Sequence, residues 1–124
     1  MKRRAWILFA VILSLLSTAG HAQEKTPREA FVKQSNTLAH ELGTAYAMGL
    51  NCNQKLQDIS PSAVADLFAH YLSDSEVEEV MLSYSQGMTE TTGKPCDLSR
   101  TKSLLVEAKR HLAAYMNTAE PFAR

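Results

Sequence analysis

Cysteine, tryptophan and glycine are all scarce in this chain, and their scarcity narrows the chemistry open to it. The 124 residues include two cysteines, one tryptophan and five glycines. The two cysteines lie far apart, which excludes a C-x-x-C redox pair and a C-x-x-C-H haem-attachment motif. No stretch alternates apolar and polar residues as a surface strand does, and no segment repeats. The sequence therefore predicts helices as its regular structure.

Motifs that carry catalysis are missing as well. The sequence has no G-x-S-x-G nucleophile turn, no phosphate-binding loop, no dinucleotide fingerprint and no H-E-x-x-H zinc motif. His40, His70 and His111 are widely separated, and the carboxylates within residues 76–79 lack the spacing of a calcium loop. We interpret these side chains as ordinary helix surface or packing. We expect no catalytic residue, no metal ligand and no cofactor.

The charge of the chain is balanced as a whole but uneven at its start. Lysine and arginine total thirteen, as do aspartate and glutamate, but three of the cations lie within the first four residues. Residues 23–124 therefore carry a formal charge of −3. A mildly acidic domain without a basic cluster is a poor binder of nucleic acid or of an anionic membrane. We expect neither as a partner.

The first 22 residues have the pattern of a secretory signal peptide. Residues 2–4 are Lys-Arg-Arg, residues 5–16 form an apolar run interrupted once by serine, and residues 20–22 are Gly-His-Ala. A cationic start, a short apolar stretch and small residues before the cut define such a leader. The apolar run is shorter than the about 20 residues of a membrane-spanning helix. We predict cleavage after Ala22, a single domain over residues 23–124 in the periplasm or outside the cell, and no membrane anchor after cleavage.

That compartment decides how Cys52 and Cys96 are interpreted. In an oxidising environment an even pair of cysteines usually forms a disulfide. The bridge would close a loop of about 45 residues, for which the chain-entropy estimate is about 4 kcal/mol. Because the total stability of a domain is typically about 5–15 kcal/mol, such a bridge would be decisive. An intermolecular bridge and free thiols are the alternatives.

Helix caps and apolar spacing divide the rest of the chain into four predicted helices. The four starts lie at Thr26-Pro27, Ser60-Pro61, Ser73 and Asp97. Apolar residues recur at intervals of three and four after each start. The first helix could run to about Asp58, with Gly43, Gly49 or the Asn51-Cys52-Asn53 triplet as places where it bends or ends.

The predicted domain is all-α, a small four-helix bundle-like domain with one disulfide, preceded by a cleaved signal peptide. Short connections near residues 58–60, 72–74 and 92–97 favour antiparallel neighbours. The disulfide would tie the late part of the first helix to the entrance of the fourth. Residues 117–124 are expected to be frayed or loosely docked.

One segment, from residue 84 to residue 96, offers a surface for a partner. It is small, polar and glycine-bearing, and the disulfide would anchor its end. Loops held by a rigid scaffold are frequent binding elements. Ordinary packing within the helical core is the alternative for its aromatic and methionine residues. The residues that we predict to contact a protein partner are Tyr84, Gly87, Met88, Thr91 and Lys94.

In its export signal, size and cysteine pair, the chain resembles several groups of small exported helical proteins. These groups are the HdeA-type acid-stress chaperones, the helical secretion pilotins and the disulfide-bonded immunity proteins that neutralise cell-wall-attacking toxins. The resemblance implies a helical domain that acts on other proteins. Typical pilotins are lipid-anchored, whereas no cysteine lies near the predicted cut here. No residue role follows from the resemblance.

Three hypotheses for function remain. The first is a non-enzymatic helical protein that binds another protein of the cell envelope as an adaptor, chaperone or assembly factor. The second is an inhibitor or immunity protein directed against a secreted toxin or enzyme. The third is a small metal- or ligand-binding enzyme that would use His40, His70 or His111.

Overall fold

The computed structural model describes residues 26–124, and these form four α-helices without a strand. The predicted all-α class and the pairing of the two cysteines are confirmed. The signal peptide, its cut after Ala22 and the domain boundary there lie outside the described residues. The helices are α1 (Pro27–Asn51), α2 (Pro61–Ala69), α3 (Asp74–Thr91) and α4 (Leu98–Ala119), with short 3-10 helices at Gln57–Ile59 and Glu120–Phe122.

All four predicted caps are present at the helix starts. Thr26, Ser60, Ser73 and Asp97 each accept a hydrogen bond from the backbone N–H three residues ahead. At Ser73 the contact is reciprocal, because the Glu76 carboxylate accepts from the Ser73 backbone N–H at 2.8 Å. These bonds satisfy backbone donors that the first helical turn leaves unpaired.

Helix α1 is shorter than the longest run that the spacing allowed. It ends at Asn51, so the predicted break at the Asn51-Cys52-Asn53 triplet is confirmed. Asn53 adopts a left-handed conformation with φ of 58°, which asparagine tolerates better than most residues. The helix continues through Gly43 and Gly49, and neither residue ends it.

Helix α1 packs against both α3 and α4, whereas no Cα atom of α3 lies within 8 Å of one in α4. The closest pair, α1 and α3, is parallel, because contacts run in the same order along both helices. Arg28 contacts Glu76 near the two starts, and Asn51 contacts Thr91 at the two ends. Helix α4 is antiparallel to α1. The expectation of antiparallel neighbours concerned helices joined by a short connection, and α1 and α3 are separated in the sequence by α2.

Two glycines explain how α1 and α3 approach so closely. A Cβ atom added at Gly43 would lie 2.0 Å from the backbone oxygen of Tyr84. One added at Gly87 would lie 2.3 Å from the backbone oxygen of His40. Any side chain at either position would force the backbones apart, so each glycine is required by the other helix rather than by a bend.

The core is built from all four helices. Its largest fully buried side chains include Tyr84, Tyr115 and Phe68. The predicted apolar stripes supply most of the buried residues, although Leu98 at the start of α4 is 46% exposed. Helix α2 closes one end of the core, where the Phe68 ring meets Tyr115 edge-on at 5.6 Å between centroids.

The expectation that residues 117–124 are frayed or loosely docked is wrong. The Phe122 ring stacks on the Phe31 ring with 4.3 Å between centroids. The backbone N–H of Arg124 donates to the His70 carbonyl at 2.8 Å. Buried aromatic area and backbone pairing together hold this segment against α1 and the end of α2.

Candidate functional site

The disulfide joins the end of α1 to the segment before α4, as the sequence predicted. The two sulfurs of Cys52 and Cys96 lie 2.00 Å apart and the two Cα atoms 4.8 Å apart. Cys52 is half-buried and Cys96 is exposed, so the bridge lies at the surface rather than in the core.

A cleft of about 780 Å³ opens beside this disulfide. Three parts of the chain form it: α1, the end of α3 and the start of α4 with the segment before it. We call it the disulfide cleft, and the residues that define it here are His40 and Met48 on α1, Glu90 and Thr91 on α3, Lys94 in the connection, and Leu98 and Arg100 on α4.

Two polar side chains fix the rim of the cleft beside the disulfide. The Asn51 side-chain amide donates to the Thr91 carbonyl at 2.9 Å, and its oxygen accepts from the Gly93 N–H at 3.2 Å. Gly93 has a φ of 85°, a conformation that glycine adopts without strain. The Asp97 carboxylate caps α4 by accepting from the Arg100 N–H at 3.0 Å. The connection between α3 and α4 is therefore tied to α1 at several points.

The walls of the cleft carry charges of both signs around an apolar patch. His40 Nε2 lies 3.1 Å from a Glu90 carboxylate oxygen, and both side chains are about half exposed. Lys94 and Arg100 are exposed cations. Leu98 and the partly buried Met48 supply apolar surface between these charges.

No nucleophile in the cleft is activated by a base. The hydroxyls of Thr91 and Thr101 are buried, and each donates to a carbonyl of its own helix at 2.9 and 2.7 Å. Within residues 26–124, no three His, Cys, Asp or Glu side chains come together as a metal site would require. The cleft presents charges of both signs and apolar surface.

The structure places the five predicted partner-binding residues very differently from one another. Tyr84 is 1% exposed, and its hydroxyl donates to the Ile59 carbonyl at 2.6 Å. Burial raises the pKa of this hydroxyl well above its ordinary value. Gly87 is buried against α1, and Met88 is partly buried. The expectation of a loop surface is therefore wrong from Tyr84 to Thr91, because these residues form the last turns of α3.

Of those five residues, Thr91 and Lys94 line the disulfide cleft. Binding of a partner there stays a prediction. Met48 and Arg100 were not predicted, and His40 was considered only as a residue of a metal or ligand site; His40 and Met48 come from α1, which is distant in sequence. The available signal was the cysteine pair, because a bridge between residues 52 and 96 necessarily brings the end of α1 to the start of α4.

A second concave surface runs between α1 and α4, near the opposite end of α1. It is a groove of about 580 Å³ with Leu38 and Tyr115 at its base. At its rim the His111 ring lies 2.8 Å from the Glu41 carboxylate. Behind it the Tyr115 hydroxyl shares a hydrogen bond of 2.7 Å with Ser35, and burial raises the pKa of Tyr115 to about 12.

Comparisons with known proteins add nothing to this geometry: no family model, curated protein or solved structure matches the chain. Within residues 26–124, every helix is too short or too polar to span a bilayer. Function must therefore be argued from the contacts and charges of the described residues.

Proposed function

We propose that the chain is an exported, non-enzymatic protein of the periplasm that binds another protein of the cell envelope through the disulfide cleft. The leader pattern in residues 1–22 supports export. The Cys52–Cys96 bridge supports an oxidising compartment, because such bridges rarely persist in the cytosol.

The observation that carries the binding role is the construction of the cleft. Its rim is fixed by the disulfide and by Asn51, so a partner would meet a preorganised surface. Preorganisation lowers the ordering cost of association. The exposed part of Leu98 offers an apolar contact, and Lys94, Arg100 and Glu90 surround it with charges that select orientation. A peptide segment with an apolar side chain flanked by charges fits this surface.

Site-specific photocrosslinking in the native cell tests the proposal. A benzoylphenylalanine is placed at Lys94 or at Leu98, both within the cleft, and in a control at Asp66, which is exposed on α2. We expect the two cleft positions to yield the same covalent adduct with one envelope protein, identified by mass spectrometry. The control position should not yield it.

Competition then shows whether the cleft itself is recognised. Purified chain without the crosslinker should suppress the adduct, and so should the control variant Lys55→Glu. The variant Arg100→Glu should compete at least about tenfold less well, because it reverses a charge at the rim. An identical adduct from Asp66, no adduct from either cleft position, or equal competition by both variants would contradict the proposal. A secreted toxin or enzyme as the adduct would place the chain among inhibitors.

A further inference from the structure

Helix α3 presents an acidic outer face. The helix contains five acidic residues and no basic one. Glu78 and Glu79 are both exposed and lie one turn before Leu82, which is 71% exposed. Residues three and four apart are neighbours on a helix surface, so both carboxylates lie beside Leu82, on the side nearer the start of α3.

Helix α4 presents the opposite charge around an exposed apolar residue of its own. It contains four basic residues and one acidic residue. Val106 is 67% exposed, and Lys102 lies four residues before it while Arg110 lies four residues after it. Lys109 lies three residues after Val106, and its ammonium nitrogen is 3.8 Å from an Asp58 carboxylate oxygen in an exposed pair. These cations do not form a run in the sequence, and only the helix brings them onto one face.

The two faces do not neutralise each other within one chain. Helices α3 and α4 both pack on α1, and no Cα of one comes within 8 Å of the other. No salt bridge joins Glu78, Glu79 or Lys102 to another side chain within the described range, although the Glu79 carboxylate accepts a hydrogen bond from the Asn36 side-chain amide of α1 at 3.4 Å. Arg110 pairs with Glu107 on its own helix, and that pair is about half exposed or more. Exposed pairs of this kind are weak and exchange readily.

We propose that the acidic face of α3 in one copy binds the basic face of α4 in a second copy of the chain. When Leu82 meets Val106, the carboxylates beside Leu82 come opposite Arg110 if the two helices run antiparallel, and opposite Lys102 if they run parallel. A second copy is favoured because this one chain carries both members of the complementary pair. An anionic membrane would attract α4 but repel α3, and residues 26–124 carry three more acidic than basic residues.

Sedimentation velocity across a concentration series tests this contact in protein purified with its disulfide intact. We expect the wild-type chain to self-associate, and to do so less as sodium chloride rises from about 0.05 to about 0.5 M. The double variant Lys102→Glu/Arg110→Glu and the double variant Glu78→Lys/Glu79→Lys should each raise the dissociation constant at least about tenfold, because each brings like charges together.

Mixing the two variants separates a specific contact from nonspecific repulsion. One variant carries two acidic faces and the other two basic faces, so an equimolar mixture should sediment as a heteromeric complex. The control variants Lys55→Glu and Asp66→Lys, whose exposed charges lie outside both faces, should associate like the wild type. A monomeric wild-type chain, or a mixture that remains monomeric, would overturn the proposal. The faces lie outside the disulfide cleft, so this result and the crosslinking result are independent.

Discussion

Helix α1 makes two interfaces that are built in opposite ways. Against α3 it makes backbone contact, because the glycines at positions 43 and 87 place no side chain of their own between the two helices. Against α4 it is held by the Cys52–Cys96 bridge at one end and by stacked aromatic rings at the other. Between those two ends of the α1–α4 interface lie the disulfide cleft and the groove beside Tyr115.

This difference between the two interfaces explains where the concave surfaces of the fold lie. A crossing in backbone contact leaves little space, and the groove along α1 and α3 is smaller, about 420 Å³, near the start of the two helices. At the α1–α4 interface, aromatic side chains lie between the two helices, and the Phe31 and Tyr115 ring centroids are 5.2 Å apart. The α1–α4 interface is therefore the more open of the two. It is joined by the disulfide, and its concave surfaces leave space for a partner.

Removing the disulfide should have the largest effect. The double variant Cys52→Ser/Cys96→Ser is expected to lose about 4 kcal/mol of unfolding free energy, because the unfolded chain regains the freedom of the closed loop. Chemical denaturation measures this loss. Hydrogen exchange should show that amides of α4 lose more protection than amides of α3. A uniform loss across both helices would contradict the view that the bridge mainly supports the α1–α4 interface.

Substitution of Gly43, at the α1–α3 crossing, should have the second largest effect on stability. We expect Gly43→Ala to cost about 3 kcal/mol, because the new methyl group meets a backbone oxygen that cannot move aside. Gly49→Ala is the matched control on the same helix. Its methyl group would meet the end of the Leu56 side chain at 2.7 Å, which can rotate away. Similar losses for the two variants in urea denaturation would disprove the close-contact explanation.

Much of the fold could be predicted because its signals are local. Ser60 and Ser73 start helices through hydrogen bonds to residues three positions ahead, so the sequence alone reveals them. Gly43 shows the opposite case. It was considered a place to bend α1, whereas its role depends on the Tyr84 carbonyl of another helix. The parallel pairing of α1 with α3 was missed for the same reason.

The candidate site was predictable only in part. The cysteine spacing revealed which chain segments meet, and Lys94 was correctly placed at the surface beside them. Tyr84 and Gly87 were misjudged because small and polar residues occur both in loops and where helices touch. Phe122 packs on Phe31, and these residues lie near opposite ends of the described chain. No local sequence pattern predicts such a contact.

A buried hydrogen bond between Ser35 and Tyr115 tests how much polar contacts stabilise the α1–α4 interface. We expect Ser35→Ala to cost about 2 kcal/mol, because it leaves the buried Tyr115 hydroxyl without a partner. Tyr115→Phe should cost only about 1 kcal/mol, because the Ser35 hydroxyl still donates to the Phe31 carbonyl at 2.9 Å. Thermal and urea denaturation of both variants measure the difference. The reverse order would mean that the tyrosine hydroxyl finds another acceptor.

The smallest expected effect concerns the one salt bridge between the starts of α1 and α3. Hydrogen bonds from the Arg28 guanidinium lower the pKa of the Glu76 carboxyl from its ordinary 4.5 to about 2. The folded carboxylate thus resists protonation more than the unfolded one. Its stabilisation is fully present above about pH 4.5 and is lost as the pH falls towards 2. Because both side chains are partly exposed, we expect a contribution of about 1 kcal/mol.

The variant Glu76→Gln isolates this charge, because glutamine can still accept the hydrogen bond from the Ser73 N–H that caps α3. Urea denaturation at several pH values between 7 and 2 should show a steeper loss of stability for the wild type than for the variant, with the two curves meeting near pH 2. Parallel curves over this range would show that Arg28 and Glu76 contribute no net charge interaction. The α1–α3 interface would then depend on its glycine crossing, its apolar packing and its remaining polar contacts, such as that of Asn51 with Thr91.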